Sequence, residues 1–547
     1  MKGAAVVAFL SSFAAALVDT NCTTPLPVTG GYFNFSNIRY AAPPIADLRF
    51  AAPQPPLPSR AVVQSGQDAR ICPQALPDWY NTASEFLPQY LFGQRKFNDS
   101  SWPRQNLTMP LDDLTTNEDC LFLDVFVPDD VWNQRHSGKK VPVLFWIFGG
   151  GYVYGSKTSY GSPSGLLTRS EMERQPGVIY VAPNYRLGAF GWLSGPTFEQ
   201  DGGLPNAGLH DQRLALEWVH KYIHLFGGDA KRITVFGQSA GGGSILHQIT
   251  AYGGQKQAPF KQAVLQSPGF QGSVSTYQQE IVFQNFLTAA NVTTLAEARK
   301  LSYLEVQKAN FLTTAVSVYG TFGYGPVVDG TFVPSLPGQL LAHGQFDNKV
   351  SVMVGQNKNE GLLFTSPYLA NDVNDTRIRA NLVQSIPTLK GLPDQVDYIL
   401  NTLYPPIFDG SQGQGYKDQI GRMAALSAEF AFICNNLYLE EAHNNNTYSY
   451  LFDIFPAIHG SDAPYTYYSG SGQPGPRVTA PRIALELQEY ITSFAETGTP
   501  NGHSGVPLFK MYGEDAQVLD LQVSGVSETL DPSANKRCRY WQSALWF

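Results

Sequence analysis

Charge is scarce in this chain. Only 15% of its 547 residues are Asp, Glu, Lys or Arg, and the formal net charge is -8. No basic patch is available to neutralise phosphates, so nucleic acid is excluded as a partner. Cysteine is scarce too. The five, at positions 22, 72, 120, 434 and 538, show none of the paired spacings of a zinc site and allow at most two intramolecular bridges. There is no internal repeat and no long low-complexity linker. The triple glycine Gly149-Gly150-Gly151 is followed by no Lys-Ser or Lys-Thr, and a G-x-G-x-x-G spacing is missing, which removes phosphate-cradling and dinucleotide-binding readings. After the first residues no second long apolar span, lipid-anchor tail or retention signal occurs, so no membrane anchor is expected.

What is present is concentrated around one serine. Gly237-Gln238-Ser239-Ala240-Gly241 occurs once, directly after the strand-like run Ile233-Thr234-Val235-Phe236 and before a helix-like segment. In that setting a G-x-S-x-G reads as a nucleophile elbow: the serine sits on a sharp strained turn, and glycines two positions either side remove clashes between strand and helix. The alternative is a glycine-rich turn that merely opens a helix. A second signal is the apolar run Val141-Pro142-Val143-Leu144-Phe145-Trp146-Ile147-Phe148, a strand of the buried parallel type, which ends in Gly149-Gly150-Gly151-Tyr152. Bare amides there, at Gly150 and Gly151, together with the amide of Ala240 after the serine, are what an acyl-transfer enzyme directs at a developing oxyanion.

With these motifs in hand the chain resembles the type-B carboxylesterases, the cholinesterase and microbial-lipase group of the α/β-hydrolase fold. Further blocks carry the resemblance along nearly the whole chain: Arg39 to Pro44 with Leu48-Arg49-Phe50, Glu118 to Val125, Asn184 to Gly191, Asn206 to Gln212, Gly325 to Gly330 and Thr497 to Gly502. One departure is Gln238, which stands before the serine where many members carry glutamate. The resemblance implies a mainly parallel central sheet with helices on both faces and large insertions. Apolar strands near 141–148, 177–183, 233–236, 262–267 and 350–354, alternating with helical stretches such as 209–224, fit that class. By length one heavily inserted domain or two domains are both possible; the resemblance implies a single catalytic domain over residues 19–547 with a flap loop near 73–119.

In such hydrolases the chain order is serine, acid, histidine, which filters the candidates. His443, beside Asn444-Asn445-Asn446, and His503, in Asn501-Gly502-His503-Ser504-Gly505, read as solvated surface. His459 follows the strand-like stretch Thr447 to Phe455 and opens the loop Gly460-Ser461-Asp462, where a catalytic base on a strand-end loop would lie. A lone histidine is usually structural; the resemblance is what selects His459 as the base. For the acid it implies Glu360, in Val354 to Gly361 after an apolar strand, the alternative being an exposed carboxylate paired with Lys358. Ser267 resembles the family serine that hydrogen-bonds this acid. His210 and Asp211 precede the serine and read as helix-start packing, and Tyr465 to Pro476 as a long surface loop.

The resemblance also implies the bridges Cys72–Cys120 and Cys434–Cys538, leaving Cys22 over. Free buried thiols are the alternative, which an oxidising route disfavours. That route is suggested by residues 1–18, where Lys2 precedes a short apolar core with the form of a signal peptide. Seven sequons, at Asn21, Asn34, Asn98, Asn106, Asn291, Asn374 and Asn445, are compatible with it. Inside the first bridge, near 73–119, Leu76, Trp79, Tyr80, Phe86, Leu87, Tyr90, Leu91, Phe92, Phe97 and Trp102 give more apolar surface than a solvated loop needs. A flap over the active site, or a static loop packed on the core, accounts for it. Cholinesterases carry a choline-stacking tryptophan about ten residues before the second cysteine; here Pro110 stands there, with Trp102 and Trp79 out of register.

The expectation is a secreted serine carboxylesterase or lipase that needs no metal or cofactor and acts on small-molecule or lipid esters without charge. A cholinesterase-like enzyme and a noncatalytic adhesion or binding protein on the same fold are the alternatives.

Overall fold

The apolar run that begins at Val141 becomes a strand inside a large sheet. The computed structural model describes residues 26–28, 31–56, 66, 69–93, 107, 109, 114–172, 175–271, 275–372, 374–411, 415–470 and 478–545. Its strands are β1 (Leu26–Val28), β2 (Tyr32–Arg39), β3 (Phe122–Pro128), β4 (Val141–Ile147), β5 (Ile179–Pro183), β6 (Gly228–Gln238), β7 (Gln262–Gln266), β8 (Ser351–Asn357), β9 (Tyr448–Phe452), β10 (Gln517–Gln522) and β11 (Gly525–Leu530). They form one sheet in the order β1-β2-β3-β5-β4-β6-β7-β8-β9-β10-β11. The stretch from β5 to β10 is parallel throughout, and antiparallel pairs close both edges.

Every residue of β4, β5 and β7 is buried. Successive side chains of a strand point to opposite faces, so both faces of the sheet must be covered. The helices Ala240–Ile249 and Pro481–Thr497 both lie against β4, β6 and β7. The helix expected at 209–224 runs Ala207–Tyr222 and tightens into a 3-10 turn, Ile223–Phe226. Asp211 on it is buried and takes a bidentate grip from Arg186, at 2.9 Å and 2.8 Å. His210 packs on Phe332, with ring centroids 4.7 Å apart. Two long insertions interrupt the strand succession, one between β7 and β8 and one between β8 and β9.

Cys72 is bonded to Cys120 and Cys434 to Cys538, with Cα separations of 5.0 Å and 5.1 Å. Residues 1–18, Cys22, Asn21, Phe97, Asn98, Trp102, Asn106 and Pro110 lie outside the described residues. Of the other sequons, Asn34 lies within β2, whereas Asn291 and Asn374 are exposed. Among the described residues no helix is long and apolar enough to cross a membrane.

Three sequence expectations give way. The start of the stretch read as a flap loop is a helix, Trp79–Leu91, which buries Trp79, Thr82, Ala83, Phe86 and Leu87. Tyr465 begins no surface loop: Ala463–Thr466 is a helical turn, and buried Tyr467 hydrogen-bonds Tyr180, oxygen to oxygen at 2.9 Å. His503 is not solvated either. Its side chain is 1% exposed. Nδ1 lies 2.7 Å from Glu489 Oε1 and Nε2 2.7 Å from Glu496 Oε2. Those glutamates are two turns apart on one face of the helix Pro481–Thr497, an arrangement that the local sequence around His503 does not reveal.

Burial pushes the Glu496 carboxyl up to about 7, against the pull of His503. Burial lowers His503, but the two carboxylates outweigh it and leave its pKa raised. Unfolded, a glutamate titrates at about 4.3 and a histidine at about 6.5. Both groups therefore hold more protons folded than unfolded, and their contribution to stability is lost as pH rises from about 4 through 7 and above. In thermal melts between pH 5 and pH 8, wild type should lose more Tm with rising pH than Glu496→Gln does. Identical slopes would refute the assignment.

Candidate active site

Strands β6, β7, β8 and β9 are neighbours in the sheet, and the residues that follow them meet at one edge. This is where ligands bind in open parallel sheets. Ser239 follows β6 with φ 59° and ψ -125°, a backbone that side chains rarely adopt. Three hydrogen bonds hold it there. Its N–H donates to Gln266 O at 2.9 Å, and its carbonyl accepts from the amides of Gly243 at 2.9 Å and Gly269 at 3.0 Å. A Cβ at Gly241 would sit 1.9 Å from the carbonyl oxygen of Ile147, and one at Gly237 would be 2.7 Å from the same atom. The obstacle is the neighbouring strand β4, which the elbow helix crosses at contact distance.

His459 comes from the loop after β9. Its Nε2 is 2.7 Å from Ser239 Oγ. Its Nδ1 is in a short hydrogen bond with Glu360 Oε2. Because an ionised carboxylate only accepts, Nδ1 carries the proton and Nε2 is left to accept from the serine. Glu360 opens the 3-10 turn after β8 and is wholly buried. Burial alone would push this carboxyl up; the charge and hydrogen bond of His459, the Ser267 hydroxyl and the Asn357 amide overcome it and leave the pKa lowered. Ser267 Oγ donates to Glu360 Oε1 at 2.5 Å and the Asn357 N–H to the same oxygen at 2.6 Å. Lys358 is not its partner, since its ammonium bonds Asp453 at 2.7 Å.

The glycine loop after β4 faces the serine. Gly150 and Gly151 have φ of 121° and 58°, and a Cβ at Gly151 would overlap the Phe322 ring at 2.4 Å. Gly151, Ser239 and Ala240 line one cleft. Among the described residues no protein acceptor takes the amides of Gly150, Gly151 or Ala240. Gln238 accepts from the Tyr160 hydroxyl at 2.9 Å and presents its amide nitrogen 3.4 Å from His459 Nε2. His443, another histidine late in the chain, lies elsewhere. Half-buried His443 meets Phe346 edge to face, with ring centroids 5.1 Å apart, and burial lowers its pKa to about 4.

The cleft encloses about 760 Å³ of space, solvent included. Its walls come from the two insertions. Tyr319, Phe322 and Tyr324 are supplied by one, and Phe364, Leu382, Ile386, Met423, Phe430 and Phe432 by the other. None of the described lining residues is charged. Phe432 and Phe364 flank the His459 ring, at 4.3 Å and 5.1 Å between centroids. Trp79 stands behind this wall, fully buried among Tyr319, Phe322 and Phe364, and its indole N–H donates to Thr321 O at 2.6 Å. No sequence motif marks these aromatics, because they converge from segments far apart in the chain. Asp462 was also hidden as a site residue. It is buried beside Glu360 and takes hydrogen bonds from Tyr450 at 2.7 Å and Asn357 at 3.2 Å.

Residues 24–541 match the carboxylesterase family. Carboxylesterase patB of Aspergillus clavatus is 40% identical over 528 residues, which are 94% of this chain and 92% of that protein. A secreted lipase of Arthroderma benhamiae is 32% identical over 418 residues, 74% of this chain and 75% of its own. In structure the chain is similar to EstA of Aspergillus niger, with a TM-score of 0.76 and 25% identity over 95% of this chain and 96% of that one.

The tight crossing of helix and strand yields a stability test. Gly241→Ala should cost about 3 kcal/mol or more, since the new methyl meets backbone on β4. Gly391→Ala, at an exposed glycine with nothing within 4 Å of its Cβ, should stay within about 0.5 kcal/mol. Denaturant melts decide it: equal stability of the two variants would refute the crossing.

Proposed function

The chain belongs to the carboxylesterase family and is a carboxylic ester hydrolase, and we propose that it works through an acyl-enzyme on Ser239. His459 takes the Ser239 proton as the hydroxyl oxygen attacks the ester carbonyl. The amides of Gly150, Gly151 and Ala240 receive the developing oxyanion. His459 then returns the proton to the departing alcohol, and a water activated by the same imidazole releases the acid. Glu360 orients the ring and balances the imidazolium that forms transiently, with Ser267 and Asn357 fixing the carboxylate. The observation that carries this reading is His459 itself, 2.7 Å from Ser239 Oγ through one nitrogen and bonded through the other to a buried carboxylate.

Residues 19–547 on this reading are one catalytic domain that reaches the outside by secretion, with residues 1–18 as the signal peptide. Two disulfide bridges suit an oxidising compartment, and the Arthroderma benhamiae relative is a secreted lipase. For substrate, the uncharged aromatic and aliphatic lining supports neutral acyl esters. A cationic alcohol would be stripped of water with no carboxylate in the described walls to compensate. Trp79 is buried behind Tyr319 and Phe322, out of reach of a choline group.

In turnover of nitrophenyl esters by variants that melts show to be folded, Ser239→Ala and His459→Ala should each lose about three to six decades of kcat, and Glu360→Gln about two to four. Wild-type rates in folded Ser239→Ala would end the proposal. Between butyrylcholine and its uncharged isostere 3,3-dimethylbutyl butyrate, kcat/KM should favour the neutral ester at least about tenfold. A preference for the choline ester would instead support the cholinesterase-like alternative.

A further inference from the structure

One wall of the cleft is a continuous helical rod. It runs Gln419–Ala428, widens into the π turn Glu429–Ile433, and continues as Cys434–Ala442. Met423, Leu426, Ser427 and Phe430 reach the cleft by the three- and four-residue steps of one helix face, but Ala431 and Phe432 line it as well. A regular helix turns about 100° per residue, so three successive residues cannot share a face. The extra residue of the π turn is what keeps Phe432 on the cleft side and against His459.

The groups that hold this turn lie outside the cleft. Glu429 begins it and is 3% exposed. Its carboxylate accepts from Arg537 Nε at 2.7 Å and 2.9 Å, from Arg537 Nη2 at 2.5 Å and from the Tyr404 hydroxyl at 2.5 Å. Arg537 lies on the last described helix, Lys536–Ser543, one residue before Cys538, which is bonded to Cys434 just beyond the turn. Trp541 of that helix backs Phe430, with ring centroids 5.0 Å apart. Phe430 and Phe270 separate the cleft from a second cavity, about 420 Å³ with solvent included, whose walls include Leu336, Tyr438 and Trp541.

Resting on the ester-hydrolase reading above, we infer that the Glu429–Arg537 pair positions the π turn and so sets both the seating of His459 and the length of acyl chain the cleft accepts. Arg537 touches no substrate; it acts through Phe430 and Phe432. Without the ion pair the turn relaxes toward ordinary α-helical winding, Phe432 leaves the imidazole, and Phe430 no longer closes the passage to the second cavity.

The test compares wild type with Glu429→Gln/Arg537→Gln, which leaves no unpaired buried charge, and with Arg537→Lys, which keeps the charge and loses the planar fork. Each is assayed on nitrophenyl acetate, butyrate, octanoate and laurate, with a thermal melt to establish folding. In the double variant kcat should fall about fivefold or more on the short esters, while the kcat/KM ratio of octanoate to butyrate rises about fivefold or more; Arg537→Lys should shift both in the same directions by less. A pair with a purely structural role would lower Tm and leave both the ratio and kcat unchanged, and that result in either folded variant overturns the inference. If the double variant does not fold, Arg537→Lys decides alone. Wild type without Ser239-dependent turnover would sink the hydrolase reading and this inference with it, whereas normal wild-type turnover with an unshifted ratio sinks only the inference.

Discussion

The backbone of Ser239 is the constraint on which the rest depends. A non-glycine residue at φ 59° and ψ -125° carries about 1–3 kcal/mol of strain and persists only where its surroundings dictate it. Here β7 accepts the Ser239 N–H, and the amides of Gly243 and Gly269 share its carbonyl. The turn throws the hydroxyl above the sheet edge and starts the helix Ala240–Ile249 across β4. The crossing is so close that only glycine fits at 241. Among the described residues no protein acceptor claims the Ala240 amide, which lines the cleft with Gly151 of the loop after β4.

Around this turn the chain places two buried acids and treats them differently. Glu360 and Asp462 are both fully buried. Glu360 is bonded to His459, and the net effect on its carboxyl is a lowered pKa. For Asp462 burial dominates, with the nearby Glu360 charge adding to it, and the pKa is raised despite hydrogen bonds from Tyr450 and Asn357. The environments push the two apart, which keeps the negative charge under the imidazole at Glu360. Gln238 extends the same economy of charge. Between Tyr160 and His459 it offers an amide where a carboxylate would have put a third acid beside the ring.

The cleft above is made by insertion rather than by the sheet. Segments after β7 and β8 bring aromatic rings together over Ser239, and the helix that carries Trp79 seals them from behind. The C-terminal part of the chain supports the same wall. Arg537, Trp541 and the Cys434–Cys538 bridge all fasten onto the rod that presents Phe430 and Phe432.

The sequence by itself determined the sheet core and the elbow, because both are written in neighbouring residues. A short apolar run that stops at glycines, such as Val141 to Phe148, reads as a strand covered on both faces, and Gly237, Ser239 and Gly241 state a steric requirement at fixed spacing. Strand ends were less legible, with β6 starting at Gly228 rather than near 233. Of the candidate site, Ser239, Glu360 and His459 could be named from chain order and resemblance, but that they meet was not in the letters. Glu360 and His459 are 99 residues apart, and Ser239 and His459 220. Tertiary structure decided what depends on partners outside the local element. It folded His503 back between two glutamates of the preceding helix, joined Lys358 to Asp453 instead of Glu360, set Asp462 beside the acid, and assembled the cleft from rings that no local pattern distinguishes from ordinary core. Local periodicity reports which face of an element is apolar. Only the folded chain fixes what that face meets.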